Sequence, residues 1–267
     1  MTGGQWEGDV DTSKPSTARM YDYFLGGSHH FAADRAAAEQ VLGVIPNIRE
    51  IARANRAFLH RAVRYMLDRG ITQFLDVGSG IPTVGNVHDL VGEYRGDGRV
   101  VYVDIDPVAV THSVNLLRDN PNAAAAHGDL LVPDAILGHD DVRELLDFRR
   151  PVGLLLVSML HFLPDEVYPA VARLRAALAP GSYLALSHVA TEAADPSTSD
   201  RVAGIYRRTS ASAAVTRDRT QILEFFGDFQ VTAPGLVWAG EWPAPQADAG
   251  AAPDSTLILV GAARKPD

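Results

Sequence analysis

Gln73-Phe74-Leu75-Asp76-Val77-Gly78-Ser79-Gly80-Ile81-Pro82 is the stretch on which the fold turns. Gln73 to Val77 has the short, bounded form of a buried strand, and it runs at once into a glycine turn. Gly78 and Gly80 let the backbone turn tightly and let a ligand approach with no Cβ in the way. A helix after such a turn points its free N–H groups at an anionic group. Tight turns use glycine for purely structural reasons as well, so the turn alone leaves its purpose open.

Downstream, strand and helix signals alternate. Arg99 to Val103 reads as a strand ending at Asp104, Ala123 to His127 as one followed by Gly128-Asp129, and Leu154 to Val157 as one followed by Ser158. Ser182 to Ser187 is a further strand. Between them Val84 to Val91, Val108 to Leu117 and Asp165 to Leu178 carry helical patterns. This alternation predicts an α/β fold, a mostly parallel sheet with helices on both faces. Ligands in such sheets bind beyond the carboxyl ends of the strands, and Asp76, Asp104, Asp129 and Ser158 all fall at those ends. Asp104, at the end of the strand after the glycine turn, is placed to accept both hydroxyls of a ribose. Asp104 or Asp106 could instead cap the helix near Pro107; Asp106 fits the cap better, which leaves Asp104 for the ribose.

Upstream, residues 1–16 are polar and read as a flexible N-terminus. Ala18, Met20, Tyr21, Phe24 and Leu25 fall at helical spacing until Gly26-Gly27 stops the helix. A second helix is expected over Ala32 to Leu42, and a third from Asn47, with an apolar stripe running to Leu67 before Gly70. Residues 17–70 therefore read as a helical extension, and 71–267 as the core. Toward the C-terminus Asp195 to Thr198 reads as a polar break, with helices expected from about Asp200 to Ala214 and from Thr220 to Phe226. Phe229-Gln230-Val231 and Thr256 to Ala262 read as closing strands, and Trp238 to Pro253 as the loop between them. Trp238 and Trp242 would either floor an apolar pocket or pack on the sheet edge.

The composition excludes several functions. The chain of 267 residues has a formal net charge of −9, which repels phosphate backbones and speaks against a nucleic-acid partner. With no cysteine there is no disulfide, thiolate metal site or cysteine nucleophile. No secretory signal and no apolar run long enough to cross a membrane are visible, so a cytoplasmic protein is expected. His29-His30 is not a metal site on spacing alone.

The choice of nucleoside ligand rests on the turn. A dinucleotide fingerprint needs a third glycine, and Thr83 stands there instead. The pattern Asp76-x-Gly78-x-Gly80-x-Pro82, with Asp104, Gly128-Asp129 and the run Leu154 to Asp165, resembles the motif set of class I S-adenosylmethionine-dependent methyltransferases. Ser16-Thr17-Ala18-Arg19-Met20-Tyr21-Asp22-Tyr23-Phe24-Leu25-Gly26-Gly27, Phe31-Ala32-Ala33-Asp34-Arg35 and Asn55-Arg56-Ala57-Phe58-Leu59 resemble one bacterial S-adenosyl methyltransferase family formerly described as a domain of unknown function.

This resemblance implies a Rossmann-like fold with a seven-stranded sheet, S-adenosylmethionine as cofactor and S-adenosylhomocysteine as product. It implies that Gly78 and Gly80 line the methionine part, Asp104 holds the ribose, Ile105 packs on the adenine, and Asp129 and Leu130 sit near the adenine amino group. Ser158 is expected on the sulfonium side, and Asp76 orients the turn. Tyr21, Gly26 and Gly27 either form a cover over the site or dock the extension, and Arg56 either holds a carboxylate or is solvated. Methyl transfer needs a base only for an acceptor that must lose a proton; His161 is the first candidate and His188 the second. Three functions compete: methylation of a small-molecule acceptor, sensing of S-adenosylmethionine without turnover, and nicotinamide-dependent redox chemistry. The sequence leaves the acceptor and the oligomeric state, a dimer included, open.

Overall fold

The computed structural model describes residues 11–82, 85–193, 195–209, 214–242 and 257–267. Its centre is a sheet built from β1 (Gln73–Val77), β2 (Arg99–Asp104), β3 (Ala123–His127), β4 (Gly153–Leu156), β5 (Tyr183–Val189), β6 (Gln230–Val231), β7 (Val237–Trp238) and β8 (Ile258–Arg264). The order is β3-β2-β1-β4-β5-β8-β6, with β7 also paired to β8. The first five strands run parallel; β8 runs antiparallel to β5, β6 and β7. All five residues of β1 are buried, as a central strand covered on both faces requires. Successive side chains enter opposite layers: Leu75 and Val77 join one apolar cluster, Phe74 the other. The chain leaves β1 toward β2 and β3 on one side and returns to β4 and β5 on the other, which opens a crevice at the carboxyl end of β1.

The expected fold is present, with one strand more than the seven anticipated. Trp238, read as the start of a loop, and Val237 before it pair with Leu259 and Val260 of β8. A two-residue strand carries no period of its own, so only its partner reveals it.

Around the sheet, among the described residues, lie α1 (Thr17–Leu25), α2 (Ala32–Leu42), α3 (Ile48–Leu67), α4 (Val87–Tyr94), α5 (Pro107–Leu117), α6 (Pro133–Gly138), α7 (Asp140–Leu145), α8 (Val167–Ala177), α9 (Pro196–Tyr206) and α10 (Arg219–Glu224), of which α1, α3 and α9 line the crevice. Gly26 ends α1 in the left-handed region at φ 85°. Phe58, Leu59, Ala62 and Met66 of α3 pack on the sheet. Met20 and Phe24 of α1, Ala38 and Val41 of α2, and Ile205 and Tyr206 of α9 form a separate apolar cluster.

Besides α6 and α7, which the sequence reading passed over, and the end of α9 at Tyr206 rather than near Ala214, two helix starts differ from it. Asp195 to Thr198 is not a break: the Asp195 carboxylate accepts from the N–H groups of Ser197 and Thr198, Pro196 takes the first helical position, and α9 starts there. The expected start of α4 at Val84 lies outside the described residues; the helix runs from Val87. Thr83 and most of the Trp238 to Pro253 stretch also lie outside them.

Candidate active site

The glycine turn is pinned to the end of β2. Gly78 and Ser79 donate their N–H groups to the Val103 carbonyl at 2.8 and 3.2 Å, and Gly80 donates to Asp104 Oδ2 at 2.7 Å. Gly78 and Gly80 sit at φ 71° and 66°, where glycine is free and other residues are strained. They differ in surroundings. A Cβ on Gly78 would stand 2.7 Å from Met159, whereas a Cβ on Gly80 would meet nothing within 4 Å. Gly78 is therefore needed for packing, and Gly80 leaves open space.

That space is a cavity of about 250 Å³ at the carboxyl ends of β1, β2 and β4. The structure brings Asp76, Gly78, Gly80, Asp104, Ile105, Asp129, Leu130 and Ser158 together in its lining, with Tyr21 and Arg56 from the extension. Asp104 Oδ1 accepts from the Asp106 N–H at 2.8 Å, and Asp106 caps α5 through Val108 N–H, as the sequence suggested. Burial pushes the Asp104 carboxyl up to about 6, partly offset by those backbone donors. Asp76, 4% exposed, is pushed by burial to about 7 although Arg56 pulls the other way. Ile105 is 58% exposed and offers an apolar platform at the rim. Asp129 holds its own loop by accepting from Leu131 N–H at 2.8 Å. Ser158 stands at φ 60°, an uncommon conformation for a residue with a side chain, with its N–H donated to Ser187 Oγ at 2.8 Å.

Arg56 supplies positive charge to a lining that otherwise carries carboxylates. Its Nε is buried without a hydrogen-bond partner. Beside it Asn55 Nδ2 donates to Tyr21 Oη at 3.0 Å, and Tyr21 donates to the Ala52 carbonyl at 3.1 Å. The α1 segment is thereby fixed to α3 at the edge of the cavity.

Gly26 and Gly27 are not in the cavity lining. They close α1: a Cβ on Gly27 would collide with the Asp22 carboxylate at 2.0 Å. His161 lines a neighbouring space and is only 8% exposed. Burial holds its imidazole well below the usual histidine range, with His188 and Arg217 pulling in the same direction. His188 lines neither cavity; Arg217 Nη1 sits 2.9 Å from its Nε2, and its Nδ1 lies 2.8 Å from the Val189 carbonyl. Trp242 is buried edge-on against Phe58 and Tyr65, so it packs the core. Among the described residues no cluster of His, Asp or Glu could hold a metal ion, and no helix is long and apolar enough to cross a membrane.

Two supporting groups escaped the sequence reading. Buried Arg19 donates from Nε to Asp34 at 2.9 Å and from Nη1 to Asp106 at 3.3 Å, and Ser16 Oγ also binds Asp106. This latch ties α1 and α2 to the residue two beyond Asp104. Arg217, also buried, donates to the carbonyls of Leu160 and Leu163 and to Asp165, and so fixes the segment after β4. Both are long-range pairings of charged residues that carry no periodic signal.

Comparison with known proteins finds relatives along nearly the whole chain. The model of a family described as S-adenosyl methyltransferase matches residues 4–266. The crystal structure of a candidate methyltransferase from Thermobifida fusca YX is 40% identical, with 99% of this chain and 100% of that one covered and a TM-score of 0.89. That of a DUF574 family protein from Streptomyces avermitilis MA-4680 is 36% identical, with 96% and 100% covered and a TM-score of 0.91. No curated protein matches the chain.

Proposed function

The chain belongs to the S-adenosyl methyltransferase family, and from that premise we propose that the cavity beside the glycine turn holds S-adenosylmethionine and that the methyl acceptor is a small molecule. It is an S-adenosylmethionine-dependent methyltransferase, with S-adenosylhomocysteine as product. The observation that carries the site assignment is the charge pattern of one cavity. An arginine without a partner on Nε faces two buried carboxylates across a glycine turn with open space above it.

Those groups match the parts of the cofactor. Arg56 is suited to the methionine carboxylate, which would satisfy its orphaned donor. Asp76 is suited to the amino group, on which a buried carboxylate regains the charge partner that burial otherwise denies it. Asp104 keeps free acceptor capacity on both oxygens for ribose hydroxyls, since each takes one backbone bond. Ile105 would cover one adenine face, and Asp129 and Leu130 its edge. When bound, the cofactor supplies a methyl group already activated by its sulfonium, so the chain's task is to orient and enclose. Ser158, Tyr21 and Phe162 border the side from which an acceptor would approach. His161, neutral and close to that side, is the candidate proton acceptor.

A small molecule is favoured over a nucleic acid because the net charge of −9 opposes phosphate backbones. Calorimetric titration of S-adenosylmethionine into wild type and Asp104→Ala tests the assignment. Binding that the substitution weakens by about tenfold or more, roughly the value of hydrogen bonds to a charged group, is the expected result. Absence of heat with cofactor-free wild type would overturn it.

A further inference from the structure

Next to the first cavity lies a second, of about 110 Å³. Tyr21, Phe24, Ser158, Phe162 and Tyr206 line both, so the two spaces share one partition. The rest of its wall is mostly apolar and comes from α3, α9 and residues 214–216 and 257–258, with single side chains such as Val41 and Val189. Among the described residues no Asp, Glu, Lys or Arg lines it. Its polar groups are hydroxyls and one imidazole, that of His161, more than nine-tenths buried and with no hydrogen-bond partner on Nδ1.

We propose that this second cavity is the acceptor site, and that it takes an uncharged, mostly apolar molecule about one ring in size whose hydroxyl or N–H group meets His161 and the shared partition. The proposal rests on the cofactor occupying the first cavity. Charge is the first argument. A carboxylate, phosphate or ammonium brought here would be desolvated with no counter-charge, whereas an apolar ring gains from leaving water. Size is the second. At about 110 Å³ the space is somewhat smaller than the roughly 150 Å³ apolar cavity that takes benzene and far below the roughly 300 Å³ of drug-sized ligands, so a single ring pressed against the shared partition is its upper limit. The third is the imidazole in the wall. Methyl transfer to an O–H or N–H group forms the new carbon–heteroatom bond, returns the broken bond's electron pair to sulfur and leaves one proton over. The imidazole of His161 lines this cavity and, held well below the usual histidine range by burial, is a neutral base that can take that proton.

The test uses the full chain, without ligand and saturated with S-adenosylhomocysteine. Phenol is the neutral probe; benzoate and benzylammonium are its charged counterparts, all followed by saturation-transfer NMR and titration. Phenol should bind in both states, and about tenfold more tightly than either ion. Ala203→Phe and, independently, Val202→Trp fill the second cavity from α9 at positions that do not themselves line the first. Each should weaken phenol about tenfold while S-adenosylhomocysteine affinity stays within about twofold. Thermal unfolding checks that each variant folds, and the wild-type selectivity stands without them. Charged probes binding as tightly as phenol, phenol indifferent to both substitutions, or phenol expelled by S-adenosylhomocysteine would each overturn the proposal. Failure of S-adenosylhomocysteine to bind wild type would instead sink the cofactor assignment, and phenol binding to the ligand-free chain would still report on the second cavity.

Discussion

Asp76 and Asp104 hold their protons more tightly in the folded chain than in the unfolded one, near 7 and 6 against an ordinary 3.8. Their contribution to stability is complete below about pH 4 and is lost as pH climbs through 6 and 7, because ionising them while buried is unfavourable. Buried His161 and His188 act oppositely. Their depressed values mean that protonation is resisted in the fold, so stability rises as pH passes upward toward 6.5. The carboxylate effect should therefore be isolated as the difference in thermal midpoint between wild type and the Asp76→Asn/Asp104→Asn double variant. That difference is expected to move in favour of the variant between pH 4 and 8, and a flat difference would contradict it. The glycine turn offers a second expectation. Gly78→Ala meets Met159 as well as backbone strain, so it should unfold or severely destabilise the chain; Gly80→Ala meets strain alone, about 1–3 kcal/mol, and should fold but lose cofactor affinity. Equal effects of the two on thermal unfolding would refute the distinction. These residues were legible in the sequence because strand-end position and glycine spacing are local signals. That Gly78 packs and Gly80 faces open space was not, since it depends on Met159, 81 positions on in the chain.

At the level of elements, the Arg19 latch joins α1 and α2 to the cap of α5. Removing its guanidinium leaves Asp34 and Asp106 buried without their cation, which typically destabilises by about 3–5 kcal/mol. Arg19→Ala should let α1 and α2 open first, seen as new cleavage between residues 11 and 42 in limited proteolysis while the sheet stays resistant. Uniform cleavage along the chain would show that the extension does not open separately. The helices α1 to α3 and strands β1 to β5 could be read from period and punctuation alone. The start of α9 could not, because Asp195-Pro196 is equally the chemistry of a turn and of a helix cap. Nor could β7, whose two residues are strand only by virtue of β8.

Taken whole, the molecule encloses the groups proposed to hold its ligand between the sheet and helices that arrive from far along the chain. Ligand that binds only the folded state should stabilise it by about 2.7 kcal/mol at a hundredfold excess over Kd. In a chain of this size that corresponds to a rise of roughly 5–10 °C in thermal midpoint with S-adenosylhomocysteine. A nicotinamide dinucleotide should give none, and an equal rise with it would reopen the choice of cofactor. The parallel half of the sheet followed from strand–helix alternation, but the antiparallel edge, where β8 enters between β5 and β6, depended on pairing that no local pattern announces. The latch also bears on how the chain comes into being. Ser16 and Arg19 leave the ribosome ahead of their partner Asp106, which lies 90 and 87 positions behind them. Helix α1 can meet Asp34 almost at once but must wait for β1, β2 and the start of α5 before it can be secured. A segment made before β1, β2 and α5 is thus secured only after all three have followed it.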